Sequence, residues 1–377
     1  MDNSRKIWFI TLTQTCNLKC KYCGSDEVYD TDMEDLAYWP MEIDYDLNLL
    51  KKIPQESNPI ICFYGGEPLM KIPLVYQIMD MFPSATFILQ TNGTRLNEVK
   101  TEYVNRMNTI LISVDGDAER TNLKRGKNTY ERAMSNVQLI RMNGYKGDLV
   151  ARMTISNGSD IFKDVSYLCS VKDFDHVHWQ LDVCWDSPAY SSWDFKFIEW
   201  RDQNYIPGIV KLAHFWVDEM KKNHKILGIA PFTGMMYSLL TGERVTRVRC
   251  GSGFTSFNIA TNGDVTGCPI APDMDIYDNI KKDTFREKDM INKAKLVEPC
   301  NPKDCEVFDL CGGRCMYANG SKWWGEDGFK EVCVSVKGYI KAMQEILPEV
   351  KQLIEEGKFT VEDFHYPAFN NSIEVIP

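Results

Sequence analysis

Three cysteines lie within eight residues near the start of the chain, in the segment TQTCNLKCKYCGSDE at residues 13–27: Cys16, Cys20 and Cys23. Thiolates are preferred ligands of zinc and of iron–sulfur clusters. A structural zinc ion takes four ligands, yet neither a histidine nor a fourth cysteine lies nearby. Three thiolates suit a [4Fe–4S] cube that keeps one iron open to a small ligand. The segment therefore predicts a cluster at which a cofactor chelates.

The chain as a whole has thirteen cysteines among 377 residues. Its start lacks a signal peptide, and no apolar run approaches the ~18 residues of a membrane span, so we expect a cytoplasmic protein. Disulfides are rare in that compartment, which favours metal ligation by the clustered cysteines. Cys62 and Cys169 stand singly in apolar surroundings and are predicted to be inert buried thiols.

The charge of the chain bears on its partners. The net charge is −10, which argues against nucleic acid, because phosphate contacts need clustered basic residues. The densest basic stretch, around Lys124, Arg125 and Lys127, is predicted to be a solvated loop.

Six segments in the first half of the chain read as strands separated by helical patterns such as 129–145. The strand segments are 6–13, 59–66, 85–92, 109–116, 148–156 and 176–185. Strands that alternate with helices predict a parallel α/β sheet, here curled into an open barrel, a partial (β/α)6 barrel.

Period-two alternation places polar side chains on one face of the last three strands. They are Ser113 and Asp115, then Arg152 and Thr154, then His178, Gln180, Asp182 and Cys184. Buried parallel strands are normally apolar on both faces, so these polar faces predict a wet, ligand-filled cavity. A solvated edge is the alternative for the sixth strand.

Changes in residue composition and in helix and strand patterns divide the chain into four parts. We predict the barrel in residues 1–190, an aromatic-rich helical region in 191–245, a cysteine-rich, metal-organised module in 246–335 and a C-terminal helix and tail in 336–377. The tail segment 337–357 reads as a surface helix interrupted at Pro348.

The first half of the chain resembles the radical S-adenosylmethionine (SAM) superfamily over roughly residues 6–185. The resemblance rests on CxxxCxxC after the first strand and on the segments YGGEP (64–68), QTNGT (90–94) and SVDG (113–116). It implies that the cluster donates an electron to SAM and yields a 5′-deoxyadenosyl radical. The positions implied to contact SAM are Tyr22, Gly65, Gly66, Glu67, Pro68, Asn92, Ser113, Asp115 and Arg152. Among them, the GGEP segment would hold the methionyl amino group, and Ser113 and Arg152 its carboxylate.

The cysteine-rich part resembles the SPASM extension over about residues 247–335. By position, one auxiliary [4Fe–4S] cluster is implied to be held by Cys300, Cys305, Cys311 and Cys333, and the other by Cys250, Cys268 and Cys315. Cys300 and Cys305 are separated by four residues where the family usually has two. A four-sulfur zinc site made of Cys300, Cys305, Cys311 and Cys315 is the alternative.

The inner auxiliary cluster lacks a cysteine that some relatives carry just before its first ligand, since the stretch TGERVTRVR contains none. We therefore predict a fourth ligand other than a cysteine of this segment, such as a substrate thiolate, water or another side chain.

Two further residues are candidates for catalysis. Asp182 is placed to take a proton from substrate, and Cys184 to give a hydrogen atom or contact substrate. The competing readings are a salt bridge for Asp182 and an inert thiol for Cys184.

The resemblance implies an enzyme that modifies a ribosomally made peptide, with three [4Fe–4S] clusters and SAM as cofactors. A thioether or carbon–carbon cross-link is the main prediction. Formylglycine formation in a sulfatase, epimerisation, and a non-catalytic iron–sulfur electron carrier are the alternatives. The expected partner is a one-electron donor such as ferredoxin or flavodoxin. Because only five residues precede the first strand, a leader peptide would be recognised by a separate leader-binding protein or by the surface of the SPASM part.

Overall fold

The computed structural model describes residues 5–23, 39–54, 58–156, 158–182, 196–270, 276–291, 305–321 and 325–366. Its strands are β1 (Ile7–Thr11), β2 (Ile60–Tyr64), β3 (Thr86–Thr91), β4 (Met107–Ser113), β5 (Asp148–Ile155), β6 (His176–Leu181), β7 (Ser256–Ile259), β8 (Asp264–Thr266) and β9 (Ile276–Asn279). Its α-helices are α1 (Ile72–Met81), α2 (Thr101–Val104), α3 (Ala118–Arg125), α4 (Thr129–Met142), α5 (Ile161–Ser170), α6 (Phe197–Trp200), α7 (Ile206–Asn223), α8 (Ala230–Thr241), α9 (Phe308–Cys311), α10 (Met316–Ser321) and α11 (Gly325–Glu355). A π-helical turn, Arg201–Tyr205, joins α6 to α7.

The first six strands form one parallel array in chain order, so the six predicted strands and the partial-barrel fold are confirmed. The full sheet has nine strands in the order β6-β5-β4-β3-β2-β1-β7-β8-β9. Strand β7 pairs in parallel with β1, and β8 and β9 follow as antiparallel neighbours. The cysteine-rich part of the chain therefore extends the barrel sheet at its β1 edge.

The sheet has two unlike faces. Its outer face packs under the helices in a large core that includes Ile110, Ile112, Met153 and Trp179. Its inner face, the lumen, holds a smaller apolar layer at the amino ends of the strands: Ile7, Phe9, Ile60, Cys62, Ile88, Leu111 and Val150. The predicted burial of Cys62 is confirmed, and Cys169 is half-buried.

Above this apolar layer the lumen becomes polar. The inward positions nearer the carboxyl ends of the strands carry Thr11, Gln90, Ser113, Arg152, His178, Gln180 and Asn258. Because His178 is fully buried, the polar face of β6 is not a solvated edge; the ligand-filled cavity stays a prediction.

Two sequence expectations are wrong. The C-terminal helix is not interrupted at Pro348, because α11 runs through it from Gly325 to Glu355; packing of its apolar stripe compensates for the lost backbone bond. The basic stretch is not a solvated loop: Lys124 and Arg125 lie in α3 and are buried, and Lys127 alone is exposed.

Helices α7, α8 and α11 pack together behind β6, and α5 packs on α7. Trp216 and Phe232 form the aromatic centre of that contact. Within the described ranges, no helix is both long and apolar enough to cross a membrane.

Candidate cluster and cofactor site

The three-cysteine loop follows β1 and is braced by the segment after β2. The backbone N–H of Gly66 donates to the Thr13 carbonyl and that of Glu67 to the Thr15 carbonyl, both at 2.9 Å. A Cβ on Gly65 would lie 2.3 Å from the Thr13 oxygen, and one on Gly66 would lie 2.4 Å from the Gln14 oxygen. Real Cβ atoms do not come so close, so the two glycines allow the loop backbone to rest directly on this segment.

Glu67 joins this brace to the next strand. Its carboxylate is buried and accepts hydrogen bonds from the Leu69 N–H, the Thr91 hydroxyl and the Asn92 N–H, at 2.7–2.9 Å. Burial raises the pKa of Glu67, and these hydrogen bonds oppose the shift. Glu67 thus ties the end of β2 to the end of β3, a role that the sequence prediction of an ammonium contact did not include.

Asn92 continues the connection to the first cysteine. Its amide nitrogen donates to the Asn17 side chain at 2.9 Å and lies 3.9 Å from the sulfur of Cys16. Asn17 in turn donates to the Thr94 hydroxyl at 2.9 Å. The QTNGT segment therefore holds the beginning of the cysteine loop.

The other end of the loop is fixed by a buried charge pair. Tyr22 donates to Asp115 at 2.7 Å, and Asp115 receives two nitrogens of Arg125 at 2.8 and 2.9 Å. The Arg125 guanidinium also lies 5.3 Å from the centre of the Tyr22 ring. Asp115 accepts a fourth bond from the Thr154 N–H, so one carboxylate links the loop, α3 and β5.

Arg125 is the functional residue that sequence reasoning missed. Its position in a short basic run favoured a surface role. Asp115 lies ten residues before Arg125 and was predicted only as a cofactor contact. The ten-residue separation between a strand-end aspartate and the last turn of the following helix was the only available signal.

A second polar cluster lies beside the first. The Lys124 ammonium donates to the Ser156 hydroxyl at 3.0 Å, and both residues are buried. Burial and then the charge of Arg120 lower the pKa of Lys124 to about 8, while Asp115 and Asp182 act in the opposite direction. Asp182 is thus placed at the end of β6 near a cation, and its predicted proton-accepting role stays a prediction. Cys184 lies outside the described residues.

Ser113 and Arg152 are neighbours across β4 and β5 and both point into the upper lumen. The Arg152 guanidinium donates to Gln180 at 2.6 Å and lies 3.5 Å from His178. Burial lowers the pKa of Arg152, whereas nearby Tyr64 raises it. A hydroxyl and a guanidinium on neighbouring strands are chemically suited to a carboxylate, and the predicted contact with the methionyl carboxylate stays a prediction.

The cysteine thiols of the loop sit together. Burial raises the pKa of Cys16, and it raises the pKa of Cys20 to about 12. The thiol of Cys23 adds to both shifts. Grouped thiols that resist ionisation become thiolates when a strong metal centre replaces the protons, which suits these residues to a cluster.

The predicted division of the second group of cysteines into two ligand sets stays a prediction. Burial raises the pKa of Cys268, and the nearby Cys315 and Cys250 add to this shift. Cys333 similarly acts on Cys311, and Cys305 acts on Cys333. Cys300 lies outside the described residues.

The zinc alternative can be compared with the structure only in part, because Cys300 lies outside the described residues. Among the residues in the described ranges, no three His, Cys, Asp or Glu side chains converge on one metal ion. A zinc site needs such convergence, whereas a [4Fe–4S] cube takes one thiolate at each iron. The cluster assignment and the zinc alternative for these cysteines therefore both stay predictions.

Comparison with known proteins agrees with this site. Residues 10–161 match the family model described as the radical SAM superfamily. The AdoMet-dependent heme synthase of Oleidesulfovibrio alaskensis is 26% identical over 170 residues, which is 42% of this chain and 40% of the synthase. The chain thus spans about two fifths of the length of that relative.

Solved structures match over more of the chain. The structure of anSMEcpe with bound AdoMet has a TM-score of 0.69 at 20% identity and covers 96% of this chain and 98% of its own. The same protein with AdoMet and the Cp18Cys peptide matches at a TM-score of 0.68 and 20% identity, covering 93% and 99%. Streptococcus suis SuiB bound to precursor peptide SuiA has a TM-score of 0.56 at 15% identity, covering 84% and 73%.

The family match covers about two fifths of the chain and supports the radical SAM superfamily, whose members are enzymes. The matched fold implies a [4Fe–4S] cluster and SAM as cofactors. Over nearly its whole length the fold is that of anSMEcpe.

Proposed function

We propose that this chain modifies a peptide, and that it does so by oxidative cross-linking. The observation that carries the proposal is the placement of the Cys16–Cys20–Cys23 loop at the mouth of a lumen whose upper layer is polar. Cys16, Cys20 and Cys23 would hold a cluster there, and SAM bound to it would supply a carbon radical able to abstract a hydrogen atom from a substrate. The protein's own residues hold the loop, offer Ser113 and Arg152 to a carboxylate, and exclude water by the apolar layer below.

A peptide substrate is supported by two structural relatives. SuiB has been solved with its precursor peptide SuiA, and anSMEcpe with the Cp18Cys peptide. We extend to this chain the same substrate class, with a one-electron donor such as ferredoxin or flavodoxin as a partner.

Two auxiliary [4Fe–4S] clusters complete the proposal. Residues 246–335 would hold them, with Cys305, Cys311 and Cys333 at one and Cys250, Cys268 and Cys315 at the other, and Cys300 completing the first. A cross-link removes two hydrogens from the peptide: one leaves as a hydrogen atom, and the other as a proton and an electron. An auxiliary cluster is a suitable acceptor for that electron, and an inner cluster with an open iron would bind a substrate thiolate and so favours a thioether.

The alternatives are less well supported. Formylglycine-forming relatives carry an acidic residue after the cysteine that corresponds to Cys268, whereas this chain has Pro269. An epimerase needs a thiol donor such as Cys184, and an electron carrier would have no use for the SAM-side residues.

Mass spectrometry tests the cross-link. The enzyme is coexpressed anaerobically with candidate short cysteine-containing peptides, and the peptides are recovered. We expect a loss of about 2 Da for each cross-link, since two hydrogens leave. A Cys20→Ala variant is the control and should return the unmodified mass. A peptide that acquires a D-residue without a mass change would contradict cross-linking and indicate epimerisation.

A further inference from the structure

The carboxylate of Asp115 uses its whole hydrogen-bonding capacity inside the chain. Its Oδ2 accepts the Tyr22 hydroxyl at 2.7 Å and Nε of Arg125 at 2.8 Å. Its Oδ1 accepts Nη2 of Arg125 and the Thr154 N–H, both at 2.9 Å. An ionised carboxylate offers about four lone pairs, two on each oxygen. Four donors therefore fill the acceptor sites, and none is left for a hydroxyl or ammonium group of a cofactor.

The ion pair is also closed to solvent. Asp115 is 1% exposed and Arg125 is 7% exposed. Two parallel N–H···O bonds between a guanidinium and a carboxylate are strong and fix the geometry of both groups. A ligand that displaced Arg125 would leave a buried guanidinium without its counter-ion, which is costly. The sequence prediction that Asp115 contacts SAM is therefore hard to reconcile with this arrangement.

Both residues between the second and third cysteines are attached to the same support. The Lys21 N–H donates to the Lys124 carbonyl at 2.9 Å, and Tyr22 donates to Asp115. The Tyr22 ring also lies 5.3 Å from the Arg125 guanidinium, within the range of a cation–π contact. Lys124 and Arg125 are the last two residues of α3. The last turn of α3 thus holds the distal half of the cysteine loop, which we define as residues 20–23.

The support is itself fixed to the barrel. The Asp115 N–H donates to the Thr121 hydroxyl at 3.1 Å, which ties the end of β4 to α3. The Lys124 ammonium donates to the Ser156 hydroxyl at 3.0 Å, which ties the end of α3 to the end of β5. Since Thr154 of β5 also donates to Asp115, the distal half of the loop takes its position from β4, α3 and β5 together.

The proximal half of the loop, residues 13–19, has a different support. It is held by Gly66 and Asn92, from the segments after β2 and β3. The two halves can therefore be perturbed separately.

We propose that Asp115 is a positioning residue, which with its counter-ion Arg125 fixes the distal half of the cysteine loop and does not contact SAM. The inference rests on the proposed function only in that Cys16, Cys20 and Cys23 are taken to hold a cluster. Tyr22 then has its role through its hydroxyl, as the link between the loop and the carboxylate.

Hydrogen–deuterium exchange on the full, anaerobically reconstituted chain tests the proposal through Tyr22→Phe. This variant removes one hydroxyl and leaves the ion pair intact, so the chain is expected to fold. Because a hydrogen bond to a charged group is lost, we expect exchange about tenfold faster in residues 20–23. Exchange in residues 13–19, β4 and β5 should stay as in the wild type. Wild-type exchange in residues 20–23 would overturn the inference.

SAM affinity separates positioning from contact. The dissociation constant of SAM is measured by equilibrium dialysis without reductant, per loaded cluster, for Tyr22→Phe and Asp115→Asn. We expect SAM affinity to change to the same extent in both, because both act through the loop. A loss of about tenfold in Asp115→Asn alone, with wild-type exchange in the loop, would show a direct contact with SAM and overturn the inference. If Asp115→Asn does not fold, the exchange of Tyr22→Phe decides alone.

The chain offers a matched control at Asp80. This aspartate also accepts a tyrosine hydroxyl and an arginine, from Tyr103 at 2.8 Å and Arg106 at 2.9 Å, but its side chain is 59% exposed. Asp80→Asn should therefore change neither the exchange of residues 20–23 nor SAM affinity. A change as large as that in the Asp115 variant would contradict a specific role for Asp115.

Iron content distinguishes a failure of this inference from a failure of the proposed function. Cys20→Ala should lose about four irons per chain, the content of one cube. If it keeps the wild-type iron content, the proposed cluster is disproved, whereas exchange in residues 20–23 still measures the hold of Asp115 on the loop. If iron is lost in Cys20→Ala but exchange is unchanged in Tyr22→Phe, the inference alone is wrong.

Discussion

Contacts made by individual side chains hold the cysteine loop in place. Asp115 is the clearest case, because one buried carboxylate receives Tyr22, Arg125 and the Thr154 N–H. A buried ion pair contributes little net stability when intact, but removal of one partner leaves an uncompensated buried charge. The pair is therefore a sensitive point of the site.

Asp115→Asn keeps the shape of the side chain and removes its charge. We expect the free energy of unfolding to fall by about 3–5 kcal/mol, because Arg125 stays buried without its counter-ion. Denaturant unfolding measures the loss. Glu98→Gln breaks the exposed pair with Arg95 and should cost about 1 kcal/mol or less. Equal losses in the two variants would contradict the role given to Asp115.

Lys124 gives a test by pH. Its pKa is lowered to about 8 by burial, so the folded state binds fewer protons than the unfolded state between pH 8 and the ordinary lysine value. The cost of burying the charge is present below pH 8 and disappears as the pH rises. Relative to Lys124→Met, the wild type should gain about 2 kcal/mol of stability between pH 7 and pH 9.5. A difference that is constant over this range would show that the ammonium carries no such cost.

At the scale of residues, the sequence was informative where residues of one chemical type recur at short, regular spacing. Cys16, Cys20 and Cys23, and the alternation of Ser113 with Ile112, could be read directly. Arg125 could not, because the residue type and its basic neighbours are the same for a surface arginine and a buried one. Its burial depends on Asp115 and Tyr22, which only the folded chain brings to it.

At the scale of elements, the segments after β1, β2 and β3 form one interlocked unit. The glycines after β2 lie against the cysteine loop, Glu67 connects them to β3, and Asn92 returns to Cys16. A substitution in any of these segments should therefore displace the loop that carries Cys16, Cys20 and Cys23.

Gly66→Ala tests this unit. Its Cβ would lie 2.4 Å from the Gln14 oxygen and 2.5 Å from the Thr15 oxygen, so the cysteine loop must move. We expect loss of most of the four irons assigned to that loop, with a lower melting temperature. Gly144→Ala is the matched control: its φ is 91° but no atom lies within 4 Å, so it adds backbone strain of about 1 kcal/mol without a clash. Normal iron content in Gly66→Ala would contradict the bracing role.

Elements were predictable where the pattern is long and regular, as for the six barrel strands. The course of α11 was not, because Pro348 is a strong local breaker and the compensating contacts of Tyr339, Met343 and Ile346 come from α7 and α8. The pairing of β7 with β1 was not predictable either. Ser256–Ile259 is four residues long, and its partner lies at the other end of the chain.

At the scale of the whole molecule, that pairing joins the six barrel strands to the cysteine-rich part of the chain. Thr11 donates to Asn258 at 2.8 Å inside the sheet, and the Trp8 and Phe257 rings lie 5.3 Å apart on the outer side. Strands of one continuous sheet with a shared core are expected to open together. A substitution that destabilises the barrel strands should therefore also destabilise β7, β8 and β9, and a substitution in β7, β8 or β9 should destabilise the barrel strands.

Phe257→Ala tests the shared core. The side chain is fully buried, so the truncation should cost about 3–5 kcal/mol. Hydrogen–deuterium exchange should speed up in β1 and β7 together. Met142→Ala, at a side chain that is 84% exposed, should leave exchange unchanged. Faster exchange confined to β7, β8 and β9 would indicate two independent modules.

The central claim is that Cys16, Cys20 and Cys23 hold the cluster at which SAM is cleaved. The direct measurement is the yield of 5′-deoxyadenosine from anaerobically reconstituted protein given SAM and dithionite, compared with a variant in which all three cysteines are alanine. We predict product from the wild type and none from the variant, with the auxiliary irons still bound. Product from the variant at the wild-type level would contradict the account.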